Sequence, residues 1–166
     1  MPFALRVPFL ALLLALTPLK SPAQGTNVAL GSLKGDPTLP VEVTSDQLSV
    51  DQAGGFATFT GNVLVGQGTL RMTAATVRVE YGPDGQTVER IHATGGVTLS
   101  NGIEAAEGQE AVYTLPTGSV LMTGDVLLTQ GASAITGNQL TVDLNTGTGV
   151  MEGRVQTVFV PAPKAP

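Results

Sequence analysis

A unit of 29 residues recurs along this chain and confines it to a repetitive fold. Val63, Val97, Val126 and Val155 each follow a glycine-containing tripeptide, in Thr60-Gly61-Asn62, Thr94-Gly95-Gly96, Thr123-Gly124-Asp125 and Glu152-Gly153-Arg154. The last three valines are spaced by 29 residues, and the 34-residue interval between Val63 and Val97 contains an added turn-like stretch, Gly82-Pro83-Asp84-Gly85-Gln86. A second set of markers, Leu48, Val77, Ala111 and Leu140, opens runs of alternating residues, the last three each 14 positions after a marker valine. Self-similarity at a fixed period signals a stacked or meandering architecture, with function carried by an extended surface rather than by one irregular catalytic cleft.

Turn signals fall at near-even intervals, at Ala53-Gly54-Gly55, Gln67-Gly68, Gly82 to Gln86, Asn101-Gly102, Pro116-Thr117-Gly118, Gln130-Gly131 and Asn145-Thr146-Gly147. Glycine and asparagine supply the positive backbone angles of tight hairpins. The eight intervening segments are rich in Val, Thr and Leu and alternate with period two, as in Val77/Val79/Tyr81 and Leu140/Val142/Leu144. The pattern predicts an all-β, single-domain antiparallel meander without helices.

These strands are about twice the usual five or six residues, so each must bend. On alternate strands the apolar phase slips by five, from Val43 to Leu48, Met72 to Val77 and Ile135 to Leu140. An odd gap turns the second half to the opposite face unless a bulge restores it. The other strands carry Gly61, Gly95, Gly96, Gly124 and Gly153 near their middles, where glycine permits a sharp bend. A sheet kinked at one level in every strand folds over on itself, as a two-layered jelly roll or an open, V-shaped curl. The residues expected inside are Leu48, Val50, Phe59, Val63, Val65, Met72, Val77, Val79, Ile91, Val97, Leu99, Met122, Val126, Leu128, Ile135, Leu140 and Val142.

The amino terminus reads as an export signal, with Arg6, an apolar run from Val7 to Leu16 and a small-residue cleavage site at Ser21-Pro22-Ala23. Residues 1–23 are therefore expected to be a cleaved signal peptide, and the competing expectation is a retained anchor. Residues 24–40, rich in Gly, Pro, Ser and Thr, are read as a flexible N-terminal segment, 41–160 as the β domain, and 161–166 as a proline-rich tail. The chain has no cysteine, so no disulfide or lipidated cysteine enters the reading. Its 13 acidic residues outnumber 8 basic ones, two of which, Arg6 and Lys20, lie in the leader. That balance argues against nucleic acid, whose binding needs a concentrated basic face.

Nothing in the pattern assembles a reaction centre. His92 is the only histidine, and a structural or exposed role is favoured over a metal ligand or general base. Glu104, Glu107 and Glu110 form the densest acidic cluster but lack calcium-loop spacing and a positioned partner, so they read as solvated surface. No catalytic residue, cofactor or metal is expected. Arg71, Arg78, Arg90 and Arg154 each adjoin an inward-phased residue, so alternation points them outward. There they serve solubility or, near a groove mouth, contact anionic headgroups.

An aliphatic interior without tryptophan can pack against itself. It can also shelter fatty acyl chains, whose exposure to water costs about 0.8 kcal/mol per methylene, on the order of 10 kcal/mol for a chain of about twelve.

The successive runs Thr44-Ser45-Asp46-Gln47-Leu48-Ser49-Val50, Ala57 to Val65 and Leu70 to Tyr81, with the later copies Gly124-Asp125-Val126 and Ile135 to Leu144, resemble the LptA/OstA-like family of periplasmic lipopolysaccharide transport proteins. The resemblance covers about Val41 to Val155. It implies a curled antiparallel β jelly roll whose apolar groove shields lipid A acyl chains in the periplasm and bridges inner and outer membrane. It also implies edge-strand docking to an LptC-like inner-membrane component and an LptD-like outer-membrane component, and head-to-tail homo-oligomers. Terminal strands Val41 to Gln52 and Thr148 to Val160 would expose backbone groups for such docking unless the tails cover them.

Three alternatives stay open on sequence alone. One is a secreted structural or adhesive β-solenoid filled by its own side chains, another an inner-membrane-anchored LptC-type component, and the third a carbohydrate-active enzyme using the glutamates.

Overall fold

The computed structural model describes residues 25–30 and 33–160, so the leader at 1–23 and the tail at 161–166 lie outside the described residues. Eleven strands run in chain order: β1 (Thr26–Ala29), β2 (Glu42–Thr44), β3 (Gln47–Asp51), β4 (Phe56–Gln67), β5 (Leu70–Tyr81), β6 (Val88–Ser100), β7 (Glu104–Thr114), β8 (Ser119–Gln130), β9 (Ser133–Asp143), β10 (Thr148–Glu152) and β11 (Gln156–Val158). One 3-10 turn, Leu115–Thr117, joins β7 to β8.

All the strands belong to one open antiparallel sheet. From β4 to β9 each strand pairs with its chain neighbour; β2 and β3 share the outer edge of β4, and β10 and β11 share that of β9. β2 with β3, and β10 with β11, are thus two further long strands, each interrupted in the middle. With them the eight segments expected from the turn spacing are all present.

The interruption lies at one level throughout. Gly61 and Asn62 on β4 face the single Ala75, Gly95 and Gly96 on β6 face Gln109, and Gly124 and Asp125 on β8 face Asn138. Each is a two-against-one bulge, which bends and twists its strand. It also corrects the odd phase: Met72 and Val77 are both buried, as are Ile135 and Leu140. The second bulge position adopts the left-handed conformation even without glycine, at Asn62, Asp125 and Arg154, with φ of 47°, 49° and 50°. Asparagine and aspartate visit this region more readily than other side chains.

The aligned bulges divide the sheet into two leaves. One carries β1, β3, β10 and the strand halves paired with them; the other carries β2, β11 and the remaining halves. Directly paired residues point to the same face. One inner row of the first leaf runs Leu48, Phe59, Val77, Ala93, Ala111, Met122, Leu140, Met151, Thr26. A row of the second leaf runs Val43, Val65, Met72, Leu99, Ala106, Leu128, Ile135, Thr157. These faces meet to form the aliphatic core.

Among the described residues of the segment 24–40, expected to be flexible, 26–30 and Leu33 depart from that expectation. Residues 26–29 are a strand on the outer edge of β10, and Val28, Leu30 and Leu33 are buried, the two leucines at 0% exposure. The apolar residues in this glycine- and proline-rich stretch outweigh its loop-like composition, because the gap between the leaves offers them a place out of water.

Candidate functional site

The gap between the leaves is the candidate site. At the elbow the leaves are continuous; at the opposite rim the hairpin ends of both leaves approach one another, forming a mouth that runs the length of the sheet.

Of the seventeen residues expected to line the interior, fourteen are buried in it, from Val63 and Val65 through Val142. Phe59 is half-buried and packs against the same core. Leu48 and Val50 depart from the expectation of enclosure: they are 58% and 59% exposed. Their register is inward, since they pair with Phe59 and Ala57, but they stand on the terminal strand and no further strand covers them. The lining therefore continues to an open edge. At the other end the corresponding rows finish under β1, with Thr26 beside Met151 and Val28 beside Gly149.

Residues 26–30 and 33–40 cross the mouth from β10 to β4. The Leu30 N–H donates to Gly147 O at 2.9 Å and Gly35 N–H to Leu144 O at 2.9 Å, both at the rim of the first leaf. On the second leaf, the Leu33 N–H donates to Glu104 Oε2 at 3.1 Å, and Gln130 Nε2 donates to Ala29 O at 2.9 Å and Glu104 Oε1 at 2.8 Å. Gln67 Nε2 donates to Leu39 O at 2.9 Å and Pro37 O at 3.3 Å. Beyond Leu39 the segment passes Val88, Leu115 and Pro116 of the first leaf and enters β2.

Gln67 is the single buried polar residue among those described, at 6% exposure, and its Oε1 accepts the Tyr113 hydroxyl at 2.8 Å. This bond ties the two leaves together across the mouth. Burial pushes the Tyr113 phenol above its usual range, against the smaller downward pull of Gln67.

Glu104, Gln67, Gln130, Leu30 and Leu33 were not legible as site residues. Glu104 in particular, read as solvated surface, holds the crossing segment and Gln130. The pairs Leu30 with Leu33 and Gln67 with Tyr113 carry no common spacing, and only the isolated leucines in a polar stretch signal the crossing segment.

The arginines lie on the outside. Arg78 stacks over the Phe56 ring at 3.6 Å and pairs with Glu80 at 3.5 Å, while Arg90 reaches the other Glu80 oxygen at 3.4 Å. Arg71 donates to Gly68 O and Leu70 O, both at 2.7 Å, at the rim of the second leaf. Arg154 lies exposed at the elbow. Arg71 and Arg90 stand beside hairpin ends, at the rims of the second and first leaf respectively, while Arg154 lies far from both. His92 meets the Glu110 carboxylate on the outer face of β6 and β7. Among the described residues no group of three or more His, Asp or Glu is arranged to hold a metal, and no helix is long and apolar enough to cross a membrane.

This architecture defines a class: open antiparallel β modules in which two leaves of one elbowed sheet enclose a continuous aliphatic lining that reaches the sheet edge. The chain belongs to the LptA/(LptD N-terminal domain) LPS transport protein family, whose model matches residues 42–148. An uncharacterized protein of Rhizobium meliloti (strain 1021) is 31% identical over 107 residues, covering 60% of this chain and 58% of that protein. The lipopolysaccharide export system protein LptA of Escherichia coli (strain K12) is 46% identical over 48 residues, 29% of this chain and 26% of that protein. The chain thus matches about a quarter to three-fifths of the length of these relatives. In fold it is similar to LptH, the LptA homologous periplasmic component of the lipopolysaccharide transport device from Pseudomonas aeruginosa. That match has a TM-score of 0.68 at 19% identity and covers 76% of this chain and 99% of LptH.

Proposed function

We propose that the chain is a periplasmic lipopolysaccharide-binding transport module that shields lipid A acyl chains between its leaves and forms part of a bridge between inner and outer membrane. It carries out no reaction of its own. The observation that supports this reading most directly is the run of inner rows from β9 to Leu48 and Val50, ending uncovered at the sheet edge. A lining that stops exposed at an edge suits cargo passed from one module to the next. Family membership supplies the cargo class. LptC-like and LptD-like components are the proposed neighbours, docked by edge strands, together with further copies of the chain in head-to-tail order.

The reading is tested with photo-crosslinking residues placed singly in cells. Positions Phe59 and Val65 on the inner rows should capture lipopolysaccharide, and Arg78 on the outer face should capture at least tenfold less. Equal capture at all three sinks the groove assignment.

The self-filled β-module reading draws on Met122, Leu140 and Met151, which are fully buried by their neighbours. It requires that no lipid co-purify with the mature protein, which mass spectrometry of the gently isolated chain decides.

A further inference from the structure

Strand β1 occupies the place that an incoming strand would need. It pairs with β10 through four residues, Thr26 to Ala29 opposite Met151 to Thr148. It covers only the first-leaf half of that sheet edge. The second-leaf half, β11, has β9 on one side and no strand on the other among the described residues.

The opposite edge has the complementary form. There β2 and β3 present three and five residues, with Leu48 and Val50 exposed on the inner face. Strand directions alternate from β2 to β10, so the β2–β3 edge of a second copy would lie antiparallel to β10 and β11, with its leaves continuing those of the first. β3 would fall beside β10 and β2 beside β11. Leu48 and Val50 of the second copy would then take the rows held by Thr26 and Val28.

We propose that β1 is a built-in placeholder for the β3 strand of a second copy, and that its replacement opens the groove. The uncovered β11 serves as the first point of contact. β2 of the incoming copy pairs there, and β3 then exchanges for β1. Ladder hydrogen bonds are broken and remade in the exchange. The five residues of β3 replace the four of β1, the three of β2 pair newly with β11, and the exposed Leu48 and Val50 become covered where Val28 is given up. Loss of β1 detaches the neighbouring Leu30 and Leu33 from the mouth, because Gln130 holds Ala29 and Glu104 together. A lone module is closed, and a docked one is open to acyl chains. This rests on the edge-docking and cargo readings above and adds the coupling between them.

The absence of native cysteine permits a clean test. Ala29 and Thr148 are directly paired and both exposed, so Ala29→Cys/Thr148→Cys clamps β1 onto β10 when oxidised. Gly35→Cys/Leu144→Cys is a second clamp, at the mouth: a Cβ on Gly35 would lie 3.6 Å from the Leu144 Cβ, within disulfide range. Each full-length variant is compared oxidised and reduced, by sedimentation over a concentration series and by fluorescence of an anilinonaphthalene dye. Purified lipopolysaccharide is the cargo probe.

Reduced protein should assemble with a midpoint at least tenfold lower in concentration than oxidised protein under the first clamp. Dye and lipopolysaccharide binding should rise with assembly in the reduced form alone under either clamp. Identical assembly in both redox states overturns the exchange while leaving edge docking in place. No assembly in either state overturns both. Assembly and dye binding that follow reduction, without lipopolysaccharide capture, uphold the exchange and remove the cargo reading.

Discussion

The hydroxyl of Tyr113 on one leaf donates to Gln67 Oε1 on the other, 2.8 Å across the mouth, while the Gln67 amide nitrogen holds the carbonyls of Pro37 and Leu39. One side chain therefore fixes both the separation of the leaves and the segment that crosses between them.

Tyr113→Phe leaves Gln67 Oε1 without its donor in a buried place and should destabilise the chain by about 1–3 kcal/mol. Chemical denaturation measures the loss. Burial of the same phenol sets an alkaline limit. The Tyr113 phenol is raised in the folded state from its ordinary 10.0, so its contribution is complete below pH 10 and is lost as pH rises through the folded value. Tyr113→Phe should remove that part of the alkaline decline.

Leu140→Ala empties a fully buried position in an inner row and should cost about 2–5 kcal/mol. By contrast, Leu48→Ala, at an exposed edge position, should change the stability of the monomer by less than about 1 kcal/mol. Thermal unfolding at low protein concentration distinguishes the two. Equal losses would mean that the edge is covered in solution.

Gly124→Ala places a methyl group where φ is 84° and 2.7 Å from the Gln109 side chain. The conformational cost alone is about 1–2 kcal/mol. The substitution should flatten the elbow, lowering the thermal midpoint and raising hydrogen exchange in β7 and β8. Gly131→Ala meets nothing within 4 Å, so it bears the conformational cost only, and the difference between the variants isolates the close approach.

The turn at Gly82–Gln86 has its own acid limit. The Thr87 hydroxyl donates to the Asp84 carboxylate, as do the backbone N–H groups of Gln86 and Thr87, at 2.9 and 2.8 Å. These hold the Asp84 pKa at about 2, against an ordinary 3.8. A depressed carboxyl contributes fully above its unfolded value and loses that contribution as pH falls through the folded one. Protection of the Gln86 and Thr87 amides should therefore fade between about pH 4 and pH 2, and NMR titration of Asp84 with amide exchange checks it. Asp84→Asn should abolish the acid dependence.

Most of the strand plan was legible because periodic signals report local geometry. The phase slip from Met72 to Val77 marked the level of the interruption, but the bulges expected on the slipping strands fall on their glycine-bearing neighbours, at 61, 95 and 124, where positive φ is tolerated. The fate of residues 24–40 left no comparable mark. Leu30 and Leu33 find their places through contacts with residues more than seventy positions away, such as Glu104, and composition alone reads such a stretch as loop. Leu48 and Val50 show the converse: alternation placed them on the correct face, but whether that face is covered depends on strand order. The role of Glu104 is likewise tertiary, for its acidic neighbours gave no sign that a backbone N–H would come within reach.

The recurrence of one bulge per hairpin makes the module divisible. Each 29-residue unit adds two strands, about 9–10 Å of sheet measured across the strands, and brings its own elbow. A duplication of residues 97–125 would consequently lengthen the trough by one such step while keeping its cross-section, and a deletion would shorten it equally. Span is thus quantised in hairpins, and a lineage can adjust the distance its sheet covers by copying a unit instead of redesigning the lining.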